Sequence, residues 1–190
     1  MKKLSAILLI LLMMVSLSSC AGDWSLNYSD TVTADGWDIA LDRDGKMAFA
    51  AAYVWDGSEE GRRIRIPDIV EGCTVFKLGG YFGRGLPMPF SVVMPAGPGE
   101  SVIPAGEEGA PKSEELLFTL VIGPYLSEIA NLRDSSDFIS VKEDGTQVIY
   151  HPVFAFEVDE KNPSFYAKEG KLYQKRGDAL VTDFEYPSEK

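Results

Sequence analysis

The chain has 190 residues, of which 29 are acidic and 18 are basic, and its formal net charge is −11. This negative charge argues against nucleic acid or an anionic lipid surface as a partner, because both repel an acidic protein. The single histidine excludes a metal site built from several histidines. The chain is long enough for one domain without disulfide bonds.

The first 19 residues have the three-part layout of an export signal. Two lysines precede a continuous apolar run, and two small serines precede Cys20. The apolar run is too short for a permanent membrane-spanning helix, which needs about 20 apolar residues. The tetrapeptide Leu17-Ser18-Ser19-Cys20 resembles the lipobox of bacterial lipoproteins. That resemblance implies cleavage before Cys20 and diacylation of its thiol; an ordinary cleaved signal with an unmodified cysteine is the alternative.

The residues after the signal divide into a short tether and one domain. Residues 20–36 are mostly small and polar, which predicts the tether, and residues 37–190 predict a single β-rich domain. The domain opens with a β-hairpin, because the alternating residues 37–42 and the run 47–54 flank Asp44-Gly45, a dipeptide that favours a tight turn. The alanines of 47–54 are also compatible with a helix, but the turn and the flanking aromatic residues favour a strand.

Further short strands follow, separated by turn residues. Residues 84–115 are so rich in Gly and Pro that they predict an insertion, with one strand at 90–95. No stretch keeps a helical period for more than two turns, so the predicted fold is mainly β. The remaining predicted strands are 64–66, 74–78, 116–122, 138–141 and 147–150 as a second hairpin, 154–159, 171–173 and 179–181.

Four short apolar strands recur at a fixed spacing. They start at Ile64, Val92, Leu120 and Val148, which lie 28 residues apart, and each has a turn residue at or just past its end. Such a spacing predicts a structural repeat.

Two segments resemble the opening of the BspA-type leucine-rich repeats of bacterial cell surfaces. Residues 66–79 begin with the Ile-Pro pair of that family and continue with its Gly turn and second strand. Residues 121–129 are similar to a second copy, with Gly123 where the family has proline.

The clearest likeness to the same family lies in 156–187. Asn162-Pro163 and Gly170 stand where the family turns the chain between short strands. The resemblance implies a short, degenerate leucine-rich-repeat-like stack of strands, with the N-terminal hairpin as its cap. A β-sandwich is the alternative fold.

Few side chains have the pattern of a catalytic or metal site. His151 is the one available base for a Ser-His-Asp triad, but its neighbours predict the end of a strand. The acidic clusters 42–44 and 56–60 lack the ligand spacing of a calcium loop and predict solvated turns. Cys73 predicts a small buried side chain. We therefore expect no catalytic residue, no metal and no cofactor.

The Gly/Pro-rich excursion between predicted strands is the expected place for ligand binding. Its candidate contact residues are Arg84, Leu86, Met88 and Phe90. The resemblance implies a non-enzymatic surface lipoprotein that recognises an extracellular protein or glycan. The lipid on Cys20 would hold it at the outer face of the cytoplasmic membrane, or in the outer membrane of a Gram-negative cell.

The alternative function is a small carbohydrate-binding or hydrolytic lipoprotein on a β-sandwich. It would require a cleft lined by aromatic residues and paired acids. A cleft that unites Trp55, His151 and carboxylates would favour this alternative.

Overall fold

The structure is a computed structural model of the chain. It describes residues 30–82, 86–88, 91–93, 112–130, 137–141, 146–182 and 184–188. The described residues are mainly β-strand, as the sequence predicts, and their one helical element is a 3-10 turn at Glu60–Arg62. The strands are β1 (Asp30–Ala34), β2 (Trp37–Asp42), β3 (Met47–Val54), β4 (Arg63–Arg65), β5 (Ile69–Val70), β6 (Cys73–Leu78), β7 (Gly80–Phe82), β8 (Leu86–Met88), β9 (Ser91–Val93), β10 (Lys112–Ile122), β11 (Glu128–Ile129), β12 (Phe138–Val141), β13 (Gln147–Val158), β14 (Phe165–Lys168), β15 (Lys171–Gln174) and β16 (Ala179–Leu180).

The first sheet is built on the predicted N-terminal hairpin. β2 and β3 pair antiparallel, and β3 pairs in parallel with β6, which pairs in parallel with β11. β9 pairs with the far end of β3, and β5 pairs with β6. The alanine run of β3 is therefore a strand, as predicted. Its small side chains are buried, and the ladder on both sides satisfies its backbone groups.

β1 lies in the stretch predicted as a tether. It pairs antiparallel with β2 around a turn at Asp35-Gly36. The folded body therefore begins at or before Asp30, and the prediction that it begins at Trp37 was wrong. β1 is a mostly exposed edge strand, so its residues are as polar as those of a linker.

The second sheet has the strand order β12-β13-β10-β4. β4, β10 and β13 are adjacent and parallel, and Ile64, Leu120 and Phe156 lie side by side across them. These three strands belong to, or run directly into, the segments that share the family resemblance. Their parallel pairing differs from the antiparallel sheets of the β-sandwich alternative.

Strand positions 28 residues apart in the sequence are not neighbours in the second sheet. Val148 lies beside Lys112 rather than beside Leu120, and Val92 lies beside Tyr53 in the first sheet. The segments that connect the parallel strands differ in length, so a fixed sequence spacing does not bring equivalent positions together.

Two segments of the chain connect the second sheet to the first. One contributes β4 to the second sheet and β6 to the first, and the other contributes β10 to the second sheet and β11, beside β6, to the first. The backbone N–H of Ser127 donates to the Phe76 C=O at 2.8 Å, and the N–H of Ala130 donates to the Leu78 C=O at 2.9 Å. One hydrophobic core joins both sheets and the C-terminal strands. Cys73 belongs to that core, as predicted.

The C-terminal strands β14, β15 and β16 form an antiparallel sheet. Glu169-Gly170 makes the β14–β15 turn with φ of 53° and 75°, which explains the predicted turn glycine. The chain then returns along β13, where the N–H of Phe154 donates to the Glu185 C=O at 3.0 Å. Phe184 packs against Phe156 with ring centroids 4.5 Å apart.

The segment predicted as an insertion contributes strands as well. β9 confirms the strand predicted there, and β10 begins at Lys112, so the last residues of 84–115 belong to a core strand. Gly123, which stands where the BspA-type repeats that the sequence resembles have proline, faces the Asp68 carboxylate. A Cβ at this glycine would lie 1.7 Å from the Asp68 Oδ1.

Two hairpin turns with the same backbone geometry allow a matched test of close packing. Gly36 and Gly72 both have φ of 79°, so a side chain strains both. A Cβ on Gly36 would lie 3.0 Å from the Tyr53 Cε2, whereas a Cβ on Gly72 would meet nothing within 4 Å. We expect Gly72→Ala to lower the free energy of unfolding by about 1 kcal/mol and Gly36→Ala by about 2–3 kcal/mol, measured by urea denaturation. Equal losses would show that Tyr53 does not press on Gly36.

Candidate functional site

The binding excursion predicted from the sequence lies only partly within the described residues. Leu86 and Met88 are in β8, which pairs antiparallel with β7. Arg84, Phe90 and the predicted lipidation residue Cys20 lie outside the described residues. The site built below uses other residues, which the sequence analysis did not single out.

A cleft opens beside β4, the edge strand of the second sheet. The strand order leaves one side of β4 without a neighbouring strand among the described residues. The cleft has a volume of about 390 Å³. We call it the edge cleft; it is lined by Asp35, Trp37, Tyr53, Arg63, Ile64, Arg65, Pro67, Asp68 and Ile69.

Two aromatic residues of the N-terminal hairpin lie at the edge cleft; Trp37 is fully buried, so the half-buried Tyr53 supplies the accessible aromatic surface. Trp37 starts β2 and Tyr53 lies opposite it on β3, with ring centroids 5.4 Å apart. The Trp37 Nε1 donates to the Arg65 C=O at 3.0 Å and so ties the first sheet to the edge of the second. Burial, followed by the charge of Asp56, raises the pKa of the Tyr53 hydroxyl.

The backbone of β4 directs hydrogen-bonding groups into the edge cleft. The N–H of Ile66 donates to the Val121 C=O at 3.0 Å, so Ile64 and Ile66 direct their backbone groups towards β10. Alternation then directs those of Arg63 and Arg65 to the other side. The Arg63 N–H donates to Glu60 and the Arg65 C=O accepts from Trp37. The Arg63 C=O and the Arg65 N–H remain directed at the edge cleft.

Four charged residues line the edge cleft, Asp35, Arg63, Arg65 and Asp68, and both arginines form ion pairs. The Arg63 guanidinium lies 2.6 Å from the Glu157 carboxylate, and the Arg65 guanidinium lies 2.8 Å from the Asp68 carboxylate. The hydrogen bond between Arg63 and Glu157 raises the pKa of the arginine and lowers that of the glutamate. Arg63, Glu157 and Arg65 are exposed and Asp68 is half-buried, and the two pairs together are neutral. Asp35 adds one exposed carboxylate to the lining, so the cleft offers hydrogen bonds, some apolar surface and a small negative charge.

Ile69 completes the apolar part of the edge cleft. Its side chain is 59% exposed, which is the largest exposed fraction among the large hydrophobic residues described. It lines the edge cleft together with Tyr53 and Pro67. An extended chain that lies in the cleft would cover this side chain.

His151 has both ring nitrogens occupied by carboxylates. Its Nδ1 lies 2.6 Å from the Asp137 Oδ1, and its Nε2 contacts the Glu185 carboxylate. The Asp137 hydrogen bond is the largest cause that raises the pKa of His151; burial opposes it, and Glu185 adds to it. Neither nitrogen is free to accept a proton from a nucleophile in this arrangement.

Trp55 does not join His151 in a cleft within the described residues. Trp55 packs in the core against Tyr150, with ring centroids 6.4 Å apart. Alternation places Tyr150 and His151 on opposite faces of β13. The arrangement that would favour a hydrolytic or carbohydrate-binding function is therefore not present among these residues. No group of three His, Cys, Asp or Glu side chains in the described ranges is placed to hold a metal ion.

The sequence holds a weak signal for the edge cleft. Trp37 and Tyr53 stand near the ends of the two predicted hairpin strands, and Arg63 and Arg65 flank a single apolar residue in the short strand β4. What the sequence alone does not give is the place of β4 at an edge, because that depends on long-range pairing.

Comparison with known proteins gives a limited result. No protein-family model and no curated protein matches the chain. Among solved structures, the chain is similar to the crystal structure of the pneumococcal vaccine antigen PcpA, with 12% identity and a TM-score of 0.19, over 77% of this chain and 54% of that one. The chain thus spans about half the length of that structure. The part of the chain that the structure describes contains no helix that is long and apolar enough to cross a membrane.

Proposed function

We propose that the protein is a lipid-anchored bacterial surface protein that recognises an extracellular protein and has no catalytic role. The anchor is the diacylated thiol of Cys20, at the outer face of the cytoplasmic membrane or in the outer membrane of a Gram-negative cell. The residues that resemble a lipobox support the anchor.

One observation supports the recognition role above the others. Ile64, Leu120 and Phe156, which lie in or directly beside the segments similar to BspA-type repeats, are neighbours across three parallel strands. Such a register is what a short stack of repeat units would produce. The edge cleft at the first of these strands is then the exposed end of the stack, where backbone groups are available to a partner.

The anchor is tested by comparing fatty-acid labelling of the unmodified chain with that of a variant at each of its two cysteines. The full chain is expressed in a bacterium that processes lipoproteins and is fed a palmitate analogue, and Triton X-114 partitioning follows. We expect the unmodified chain to carry label and enter the detergent phase, and Cys20→Ala to lose both properties. Cys73→Ala is the matched control, because Cys73 is the only other cysteine and is buried; it should keep the label. Label on the Cys20→Ala chain, or none on the unmodified chain, would overturn the proposed anchor.

A further inference from the structure

We propose that the edge cleft binds an extended peptide segment of a partner protein, which adds to β4 as a further parallel strand and places one apolar side chain against Tyr53 and Ile69. This inference rests on the proposed recognition function and names the partner's chemistry. It differs from the lipid anchor, which is tested separately.

The hydrogen-bonding groups of β4 define the main chain of the ligand. The Arg63 C=O and the Arg65 N–H point into the edge cleft from residues on either side of Ile64. In a parallel strand, a single ligand residue opposite Ile64 would donate its N–H to Arg63 and accept the Arg65 N–H at its C=O. Every peptide carries these two groups, so a main chain in extended conformation matches this edge.

The position of Ile64 defines the side chain of that ligand residue. Neighbouring residues in a ladder place their side chains on the same face of a sheet, and the Ile64 side chain is buried in the core. The ligand side chain opposite it would therefore lie on that same face, where Tyr53 and Ile69 offer the accessible apolar surface of the cleft. We therefore expect an aliphatic or aromatic side chain there.

The size and charge of the edge cleft narrow the partner further. A volume of about 390 Å³ is at the small end of ligand sites and suits a few residues of an extended chain rather than a folded domain. Arg63 and Arg65 are each paired with a carboxylate and Asp35 adds one exposed negative charge, so the cleft attracts a cationic peptide only weakly. Binding should depend little on salt.

The proposal is tested with a displayed library of random heptapeptides against the full lipidated chain in detergent micelles. Peptides that bind are measured by fluorescence anisotropy against two variants at one position. Arg65→Pro removes the N–H that faces the cleft but no hydrogen bond of the β4–β10 ladder, and edge strands accept proline there. Arg65→Ala removes the same guanidinium and keeps the N–H, so it is the matched control.

We expect Arg65→Pro to weaken binding at least tenfold and Arg65→Ala to change it less than threefold. A rise in NaCl from 0.05 to 0.5 M should change the dissociation constant less than threefold. A second measurement does not depend on the folding of the proline variant. N-methylation of the apolar ligand residue should weaken binding at least tenfold, whereas N-methylation of a terminal residue should not.

Three results would overturn the proposal. The first is equal binding to Arg65→Pro and Arg65→Ala, and the second is a library with no peptide that binds more tightly than 100 µM. The third is a dimer of the chain that Arg65→Pro dissociates, which would assign the edge to a second copy. If the chain is labelled at Cys20 but binds no peptide, the proposed peptide site is wrong and the proposed lipid anchor still stands.

Discussion

Replacement of Asn162 by alanine is expected to lower the free energy of unfolding by about 3–5 kcal/mol. Asn162 is the one buried polar residue among those described, and its side chain uses all of its hydrogen-bonding groups on backbone. Its Nδ2 donates to the Gly123 C=O at 2.7 Å and to the Leu126 C=O at 2.9 Å. Its Oδ1 accepts the N–H of Ser164 at 2.9 Å and of Phe165 at 2.8 Å.

Alanine would leave these four backbone groups without their partner, and three of the four hydrogen bonds are buried, the one from Ser164 being part-buried. The loss is larger than for a surface hydrogen bond because each buried group keeps its full desolvation cost. Urea denaturation of the unmodified chain and of Asn162→Ala measures the difference. Ser164→Ala keeps the backbone N–H that Asn162 binds and should cost less than about 0.5 kcal/mol. A loss below 1 kcal/mol for Asn162→Ala would contradict the assigned role.

Asn162→Asp separates the donors from the acceptors of the side chain. The carboxylate would keep the bonds from Ser164 and Phe165 but would face the carbonyls of Gly123 and Leu126 without a proton to share. That repulsion disfavours the charged form in the folded state, so this variant should regain part of its stability as pH falls.

The stability of the protein should fall as pH rises above about 6.5, the ordinary pKa of histidine, because His151 loses its proton. In the folded chain, Asp137 and Glu185 hold the charged imidazolium, and they raise the pKa of His151. A raised pKa means that this stabilisation is fully present below the unfolded value and is lost as pH rises through the folded value. Glu115 lies beside His151 on β10 and accepts a hydrogen bond from Ser188, so a further carboxylate remains near the neutral ring.

His151 is the only histidine, so its NMR titration needs no assignment. We expect a midpoint above 6.5 that Asp137→Asn and Glu185→Gln each lower. Denaturation midpoints of the unmodified chain should decline between pH 6 and 9 more steeply than those of His151→Gln, which cannot be protonated. A histidine midpoint at or below 6.5, or equal slopes for the two chains, would rule out this ion pair in solution.

The sequence predicts the local parts of this fold and not their assembly. The strands of the N-terminal hairpin follow from alternation and from the turn residues between them, although the positive φ of the turn lies at Lys46, 52°, and not at Asp44-Gly45. β1 was missed because a polar edge strand has the composition of a linker. The fixed 28-residue spacing did not predict the register across β4, β10 and β13. That register depends on the lengths and paths of the long segments between these strands, which no local pattern encodes.

The candidate sites divide in the same way. A turn at Asn162-Pro163 is predictable from residue type, but the burial of the Asn162 side chain between two segments is not. The edge cleft joins the N-terminal hairpin to β4, which no local pattern reveals, whereas the clustered Gly, Pro and aromatic residues of 84–90 are visible locally and their binding role stays a prediction. His151 was assigned to a strand end; it lies within β13, and its two carboxylate partners come from distant parts of the chain.

The position of β1 has a mechanical consequence for a chain anchored at Cys20. If Cys20 carries the proposed lipid, a pull from the membrane would reach β1 before any other described strand, at Asp30, which lies opposite Leu41 at the open end of the β1–β2 hairpin. Tension directed across that hairpin would break its hydrogen bonds one pair after another. The Arg43 side chain bridges Asp30 and Glu71, each at 2.7 Å, and would be the first contact to carry the load. β1 would then detach from β2 and lengthen the linker between the membrane and the folded domain, while the remaining strands stay folded.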